Sequence, residues 1–366
     1  MALRRGANMT LTTVDAGMLN SQSQQTWRNR IINGAMVIAQ RGTGVFTQTN
    51  SSVYTLDRWN TYGSGGSQFT VQQNAGSVTP PAGYKNYLGV VNSVTPVTPS
   101  SVQEWEVYQY IEGYNIADLG WGAAGAATVT LSFWVRSSVT GAFGASLCNY
   151  NSTRTYPFNY TISVANTWEQ KSVTIAGDTS GTWYSDSAIG MGVIFSFGAG
   201  STKSGPANTW AGANYTQPTG SVALVATASA TWQITGVQLE KGSTATSFDY
   251  RPYGTELALC QRYLPALISS GTVNFIGYAQ AGSTTAIYPI IQHPVTPRVA
   301  PTGLTASAAS IITVNGVNSS TAIALANGGL YASRINVATT GLTNQISYGV
   351  YLNTAGATLL FTGCEL

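Results

Sequence analysis

Residues 230–264 read ATWQITGVQLEKGSTATSFDYRPYGTELALCQRYL. The stretch starts as a strand, passes through a polar turn and ends in a short apolar run. Trp232 and Ile234 share one face, and Val237 and Leu239 share the other. The alternation slips at Thr235–Gly236, where one extra residue in a strand produces a β-bulge. Phe248 and Tyr250 then pack over a sheet edge, and Arg251-Pro252 stiffens the exit because the proline ring fixes φ. GTELALCQRYL is the one plausible helical turn of the chain, and it leads into a second module.

Period-two alternation recurs upstream. In ATVTLSFWVRSS, Val129, Leu131, Phe133 and Val135 face one way, and Thr130, Ser132, Trp134 and Arg136 the other. GMGVIFSFGAG repeats the pattern through Met191, Val193, Phe195 and Phe197, and WEQKSVTIAG does so through Val173 and Ile175. Gly- and Asn-rich turns separate these runs. Many short alternating strands without helical periods between them imply an all-β protein built of antiparallel sheets in a sandwich. NRIINGAMVIAQRG reads as an Asn33-Gly34 turn followed by a strand through Met36 and Ile38.

Composition agrees. Charged residues are 8% of the 366, against roughly 25% in an average soluble domain. Hydrophobic residues are 43%, enough for real cores, and length suggests roughly two or three domains. The first 50 residues hold Arg4, Arg5, Arg28, Arg30 and Arg41 against Asp15 alone, so a basic leader precedes a weakly acidic body. A nucleic-acid binder needs a broad basic stripe, which this chain lacks. The leader, residues 1–28, reads as an extended arm, either docked on an acidic partner or simply solvated. Cys148, Cys260 and Cys364 lack the spacing of a metal site or a disulfide framework and read as buried, reduced thiols. No apolar run approaches a membrane span of ~18 residues, and no signal-peptide core is visible, so membrane insertion is not expected. Beyond Arg262 only Arg298, Arg334 and Glu365 are charged. ATLLFTGCEL reads there as a strand running to the last residue, and such an apolar end suggests packing between identical chains.

Taken in order, NRIINGAMVIAQRG, YTLDRW, VTLSFWVRSS, DTSGTW and the 234–264 junction resemble tailed-phage and prophage fibre or appendage proteins. The resemblance covers about residues 29–264. It implies an N-terminal virion-anchoring arm (1–28), a jelly-roll domain like a carbohydrate-binding module (29–252), a linker (253–264) and a small C-terminal β domain for trimerisation or receptor contact (265–366). It further implies a homotrimer in a virion, made in the bacterial cytoplasm and released by lysis. The arm would dock on another virion protein through Arg4, Arg5, Arg28 and Arg30. Host-surface polysaccharide is the expected partner. The rival assignment is a capsid-bound head fibre or decoration protein without a receptor, and a third is a glycan-degrading tailspike.

Catalysis has little raw material. His293, in IQHPVTP, is the single histidine and reads as structural. The carboxylate pairs Glu104 with Glu106, and Asp178 with Asp186, are the candidates for glycoside hydrolysis, and solvated surface acids are the plainer reading. No phosphate loop, metal cluster or dinucleotide fingerprint appears, so no enzyme activity, cofactor or metal is expected. Binding has more to work with. Sugars offer apolar C–H faces and hydroxyls, which suit aromatic platforms flanked by polar side chains. The candidates are Trp59, Trp134 with Arg136, Trp183, Tyr184, Trp210 and Tyr215.

Overall fold

The alternating runs fold as expected. The computed structural model describes residues 27–66, 68–271, 274–307, 311–312, 320–352 and 354–366. Its first strands are β1 (Phe46–Thr47), β2 (Val53–Tyr54), β3 (Asn60–Gly63), β4 (Phe69–Gln73), β5 (Leu88–Asn92), β6 (Glu104–Glu112) and β7 (Val129–Ser137). There follow β8 (Gly141–Cys148), β9 (Thr155–Ile162), β10 (Glu169–Ile175), β11 (Ile189–Ala199), β12 (Ser204–Gly205), β13 (Gln217–Pro218) and β14 (Thr231–Lys241). Two six-stranded sheets result, ordered β1-β4-β5-β14-β7-β10 and β2-β3-β6-β11-β8-β9. The chain crosses repeatedly from one sheet to the other, which makes the module a jelly-roll β-sandwich. The inward faces of β7 and β11 are fully buried at the positions read from the sequence. Between the sheets Phe195 touches Phe133 at 5.1 Å and Trp232 at 5.6 Å, ring centre to ring centre. Each such aromatic buries roughly 150–250 Å², worth about 4–6 kcal/mol at 25 cal/mol per Å².

The bulge is present. Thr235 pairs with Trp134, whereas Gln238 pairs with Ser132, so β14 carries one residue more than β7 over this interval. Gly236 adopts a φ of 63°, the left-handed conformation that glycine tolerates best. The extra residue returns Val237 and Leu239 to the core beside Trp232 and Ile234, and all four are buried in one cluster.

The bulge also frees backbone groups, and residues 29–34 take them. Val237 N–H donates to the Gly34 carbonyl (3.0 Å), and Asn29 Nδ2 donates to the Val237 carbonyl (2.9 Å). Asn29 Oδ1 accepts from Leu239 N (3.1 Å). A Cβ on Gly34 would lie 2.1 Å from the Val237 oxygen, so only glycine lets the backbones approach this closely. The Asn33-Gly34 turn is therefore confirmed, but the strand expected through Met36–Ile38 is not. Residues 36–39 are irregular. The alternation serves a different geometry: Ile31 and Met36 enter the sandwich core, while Ile32 and Ile38 pack with Cys260 and Tyr263.

Those last two residues lie in and just after the helix α1 (Tyr253–Gln261), which occupies the expected linker. The linker is not a spacer. Asn33 N–H donates to Glu256, and the Asn33 side chain bonds the Ile38 and Asp57 carbonyls at 2.8 and 3.0 Å. Asp57 in turn accepts from the backbone and side chain of Gln40, both at 2.6 Å. Buried Arg58 lies over the Tyr263 ring at 3.7 Å. Arg262 grips Glu112 of β6 through two bonds, of 2.9 and 2.6 Å, and Tyr263 donates to the same carboxylate at 2.6 Å. These bonds outweigh the burial of Glu112 and hold its carboxyl below the usual range.

The C-terminal module contains β15 (Ala266–Ile268), β16 (Asn274–Gln280), β17 (Ala286–Ile287), β18 (Ile290–Gln292) and β19 (Gly303–Ser307). It continues with β20 (Ile311–Ile312), β21 (Ala322–Asn327), β22 (Ala332–Ala338), β23 (Ser347–Leu352) and β24 (Thr358–Thr362). It is all-β, as expected. The last strand stops at Thr362, short of the chain end, and lies between β15 and β19. Its apolar residues thus find partners within their own chain, which removes the fraying argument for association. Residues 364–366 instead clamp the modules together. Arg298 donates to the Cys364 and Glu365 carbonyls (2.9 and 2.5 Å) and to the Ser187 carbonyl of the sandwich (3.0 Å). Arg41 bonds the Glu365 carboxylate at 2.6 Å, and Tyr54 donates to the Leu366 carbonyl.

This packing is open to two measurements. Gly34→Ala should destabilise the chain by about 3 kcal/mol, because the new methyl must displace backbone at the bulge; urea unfolding measures it. Burial pushes the Glu365 carboxyl up to about 7, despite Arg41. A carboxyl raised above its unfolded value binds a proton more tightly when folded, so this contribution falls as pH rises from about 4.5 to about 7. Asp57, also raised by burial, acts in the same sense, and His293, lowered by burial, acts in the opposite one. Thermal unfolding of wild type and Glu365→Gln across that window isolates the residue: the variant gains stability relative to wild type as pH rises.

Candidate functional site

Three connections converge at one end of the sandwich: residues 149–154, 176–188 and 206–216. Short polar residues tie them down. Asn149 Nδ2 donates to the Thr182 carbonyl at 3.1 Å, and its Oδ1 accepts from Arg154 N at 3.0 Å. Thr155 and Ala211 exchange backbone bonds of 3.1 and 2.9 Å. Arg154 reaches both oxygens of Asp178 at 2.7 Å, and the Asp178 side chain is 2% exposed. The same carboxylate accepts from Ser180 N at 3.1 Å, in the turn that leads to Trp183.

Beneath these loops Trp121, Trp183 and Trp210 meet edge to face. Their ring centres are 4.7 Å (Trp121–Trp183), 5.3 Å (Trp121–Trp210) and 5.6 Å (Trp183–Trp210) apart. Each indole N–H donates to a backbone carbonyl: Trp121 to Ala127, Trp183 to Ser180 and Trp210 to Ala176. Their polar handles are thus satisfied internally, and the indoles act as a packed support. On the outside stand Tyr150 and Tyr184, 48% and 38% exposed, with ring centres 5.4 Å apart at 68°. Asn151, Thr153, Asp186 and Asn214 are exposed on the same three connections. Two solvent-facing rings on braced loops, edged by amides and hydroxyls, offer a stacking surface with hydrogen-bonding groups.

The structure sorts the residues singled out from the sequence. Trp183, Tyr184 and Trp210 come together here. Tyr215 is half-buried nearby, its ring so close that a Cβ on Gly205 would lie 2.2 Å from it, and its N–H points to Thr155 Oγ1 at 3.4 Å. Trp59 is not a platform: it is fully buried in the core and donates to the Asn33 carbonyl at 3.1 Å. Trp134 is half-buried on the outer face of β7, away from this cluster, and its neighbour Arg136 is held by the Asn166 carbonyl and Gln233. Arg30 is engaged within the chain by Asp118 at 2.9 Å, so it is not free for docking. Arg28 is half-buried with Nε and Nη1 unpartnered among the described residues. Arg4 and Arg5, with most of the arm, lie outside the described residues. Tyr150 is the residue that sequence reasoning misses. Its signal is Asn-Tyr-Asn-Ser, turn residues around an aromatic at the end of a strand.

Three of the four acids bond internal partners. Glu104 pairs with Lys203 at 2.8 Å. Glu106 is buried, and burial beside Glu104 drives its carboxyl well up. Asp178 is bound by Arg154, and Asp186 accepts from Ala188 N at 2.9 Å within its own turn. His293 Nε2 lies 3.1 Å from the Gly329 carbonyl and 3.0 Å from Ser333 Oγ, a structural position. The cysteines are free and buried, as expected. No group of three metal-ligating side chains occurs among the described residues.

No protein-family model and no curated protein matches the chain. Solved structures do. One is the enzymatically active domain of tailspike protein 4 of bacteriophage CBA120, at 12% identity and a TM-score of 0.32, covering 59% of this chain and 22% of that one. Another is TmCBM61 in complex with β-1,4-galactotriose, at 12% identity and TM-score 0.29, covering 59% and 99%. A third is the family 11 carbohydrate-binding module of a cellulosomal cellulase from Clostridium thermocellum, at 12% identity and TM-score 0.27, covering 55% and 98%. Similarities this distant carry no inference about what this chain binds or does. The protein is an all-β protein whose larger module is a jelly-roll sandwich.

The loop cluster depends on the Arg154–Asp178 pair. Arg154→Ala leaves a carboxylate buried without its cation and should cost about 2 kcal/mol. The measurable consequence is faster amide exchange confined to residues 176–184, with the C-terminal module unaffected.

Proposed function

We propose that the protein is a non-enzymatic structural fibre or appendage protein of a phage virion, and that its sandwich binds host-surface glycan through the Tyr150–Tyr184 surface. One observation carries the glycan reading: two exposed aromatic rings stand side by side on loops that are bonded to one another and backed by three indoles. Holding the rings in place beforehand reduces the ordering cost of binding. The amides of Asn151 and Asn214, the Thr153 hydroxyl and the Asp186 carboxylate on these loops offer donors and acceptors to a hydroxyl-rich ligand. The commitment of Glu104, Asp178 and Asp186 to internal partners supports binding without hydrolysis. The virion setting rests on the resemblance of the 29–42 and 234–264 motifs, with those between them, to fibre proteins. Repetition of the surface in a homotrimer would strengthen weak sugar contacts through avidity.

Tyr150→Ala and Tyr184→Ala should each weaken binding to host cells or their purified polysaccharide by about 1–2 kcal/mol while the fold is retained, as removal of one contact ring does at small interfaces. Glycan-array and whole-cell binding measure this. Normal binding by both folded variants would contradict the assignment of the surface. A wild-type protein that binds neither cells nor polysaccharide would favour a decoration protein without a receptor.

A further inference from the structure

A second concavity lies over the bulge of β14 and shares no lining residue with the loop cluster. Segments remote in sequence build it: Asn29 with the turn at Gly34, Ala35 and Val37; the loop at Gly83–Lys85; Phe248, Tyr250 and Arg251 of the strand exit; and Glu256 of α1. Its volume is about 200 Å³. That is below the roughly 300–1,000 Å³ of pockets for drug-sized ligands, and a little above the about 150 Å³ that accommodates one six-membered ring. The space admits a single ring rather than a chain.

Three aromatic rings line it in mutual contact. Tyr84 lies 5.5 Å from Phe248 and 5.6 Å from Tyr250, and Phe248 lies 4.8 Å from Tyr250. The Tyr250 hydroxyl donates to the Gly83 carbonyl at 2.8 Å, which braces loop against strand exit. Tyr84 rests on Gly236, where a Cβ would come within 2.6 Å of its hydroxyl, so the bulge glycine shapes this wall too. The charges are unequal. Arg251 and Glu256 pair with each other at 3.1 Å, whereas Lys85 is exposed and has no ion-pair partner among the described residues. Arg251 Nε also lacks an acceptor. The unmatched groups are thus donors, and they call for an acceptor-rich, anionic ligand.

We infer that this cavity is a site for a single acidic sugar residue, a pyranose bearing a carboxylate, with its C–H face against the Tyr84, Phe248 and Tyr250 rings and its carboxylate toward Lys85. The inference rests on the glycan reading of the protein but uses a different surface. The site would recognise an acidic residue of a host polysaccharide, while the Tyr150–Tyr184 surface takes neutral sugar.

The test is ligand-observed NMR titration of the full chain with methyl β-glucuronide, methyl β-glucoside and benzoate. The glucuronide is expected to bind in the millimolar range, with the glucoside weaker by about fivefold, the equivalent of one modest charge contact. Lys85→Gln, at an exposed position that leaves the fold intact, should remove that difference. Val37→Trp, which fills the cavity, should abolish binding of the glucuronide. Tyr184→Ala should leave glucuronide binding unchanged, so loss at either surface is separable from loss at the other. No glucuronide binding, an unaltered preference in Lys85→Gln, or benzoate binding as tightly as the glucuronide would each overturn the proposal.

Discussion

One extra residue in β14 exposes the N–H and carbonyl of Val237, and the entry to the sandwich is arranged around satisfying them. An interior strand cannot leave backbone polar groups unpaired without a cost of about 1–3 kcal/mol each. Asn29 and Gly34 supply the partners, and doing so fixes residues 29–34 against the sheet. Asn33 is then held in position to bond Glu256 of the helix and the Asp57 carbonyl. From there the network reaches Gln40 and, through the Gln40 side chain, the Leu264 carbonyl at 3.2 Å. A local irregularity in one strand thus anchors the entry to the sandwich and the exit toward the C-terminal module at one place.

Such a polar knot is a weak source of net stability, because burying Asp57, Arg58, Glu112 and Glu256 removes their hydration. What it supplies is geometry. Few alternative packings satisfy Asn33, Asp57, Glu112 and Glu256 together, so the two modules have one mutual arrangement. Arg298 reinforces it by bonding residues of both. The proposed presentation of sugar sites at fixed spacing would benefit from this rigidity, since flexible presentation dilutes avidity. The bulge further contributes a wall of the aromatic cavity through Gly236 and Tyr84.

The sandwich is legible because a half-buried strand writes its burial with period two, as Val129–Val135 and Met191–Phe197 do. The bulge is legible for the same reason: inserting one residue between Thr235 and Val237 inverts the phase of every apolar position after it. Residues 36–38 are not legible, since Ala-Met-Val-Ile alternates in the sequence yet follows two cores that only tertiary structure reveals. The closing strand is legible as a strand but not as a central one, because sheet order depends on the pairing of Leu360 with Ala266 on one side and Thr305 on the other, which no local pattern records. Among the aromatics, Trp59 and Tyr184 look alike in composition. What separates them is that Trp59 follows a turn that folds it inward against Asn33, whereas Tyr184 lies in a long connection at the sandwich end. Tyr150 escapes notice in a loop whose asparagines announce a turn but not its exposure.

Native-state hydrogen exchange at the Val237 and Asn33 amides tests the junction most directly. These two donors have partners in different segments, Gly34 and Glu256. The account predicts that both exchange only through global unfolding, with the same free energy and the same urea dependence as the core amides of β7 and β11. Exchange of either amide through a low-energy local opening, while the core stays protected, would show that the joint is a hinge and contradict the account.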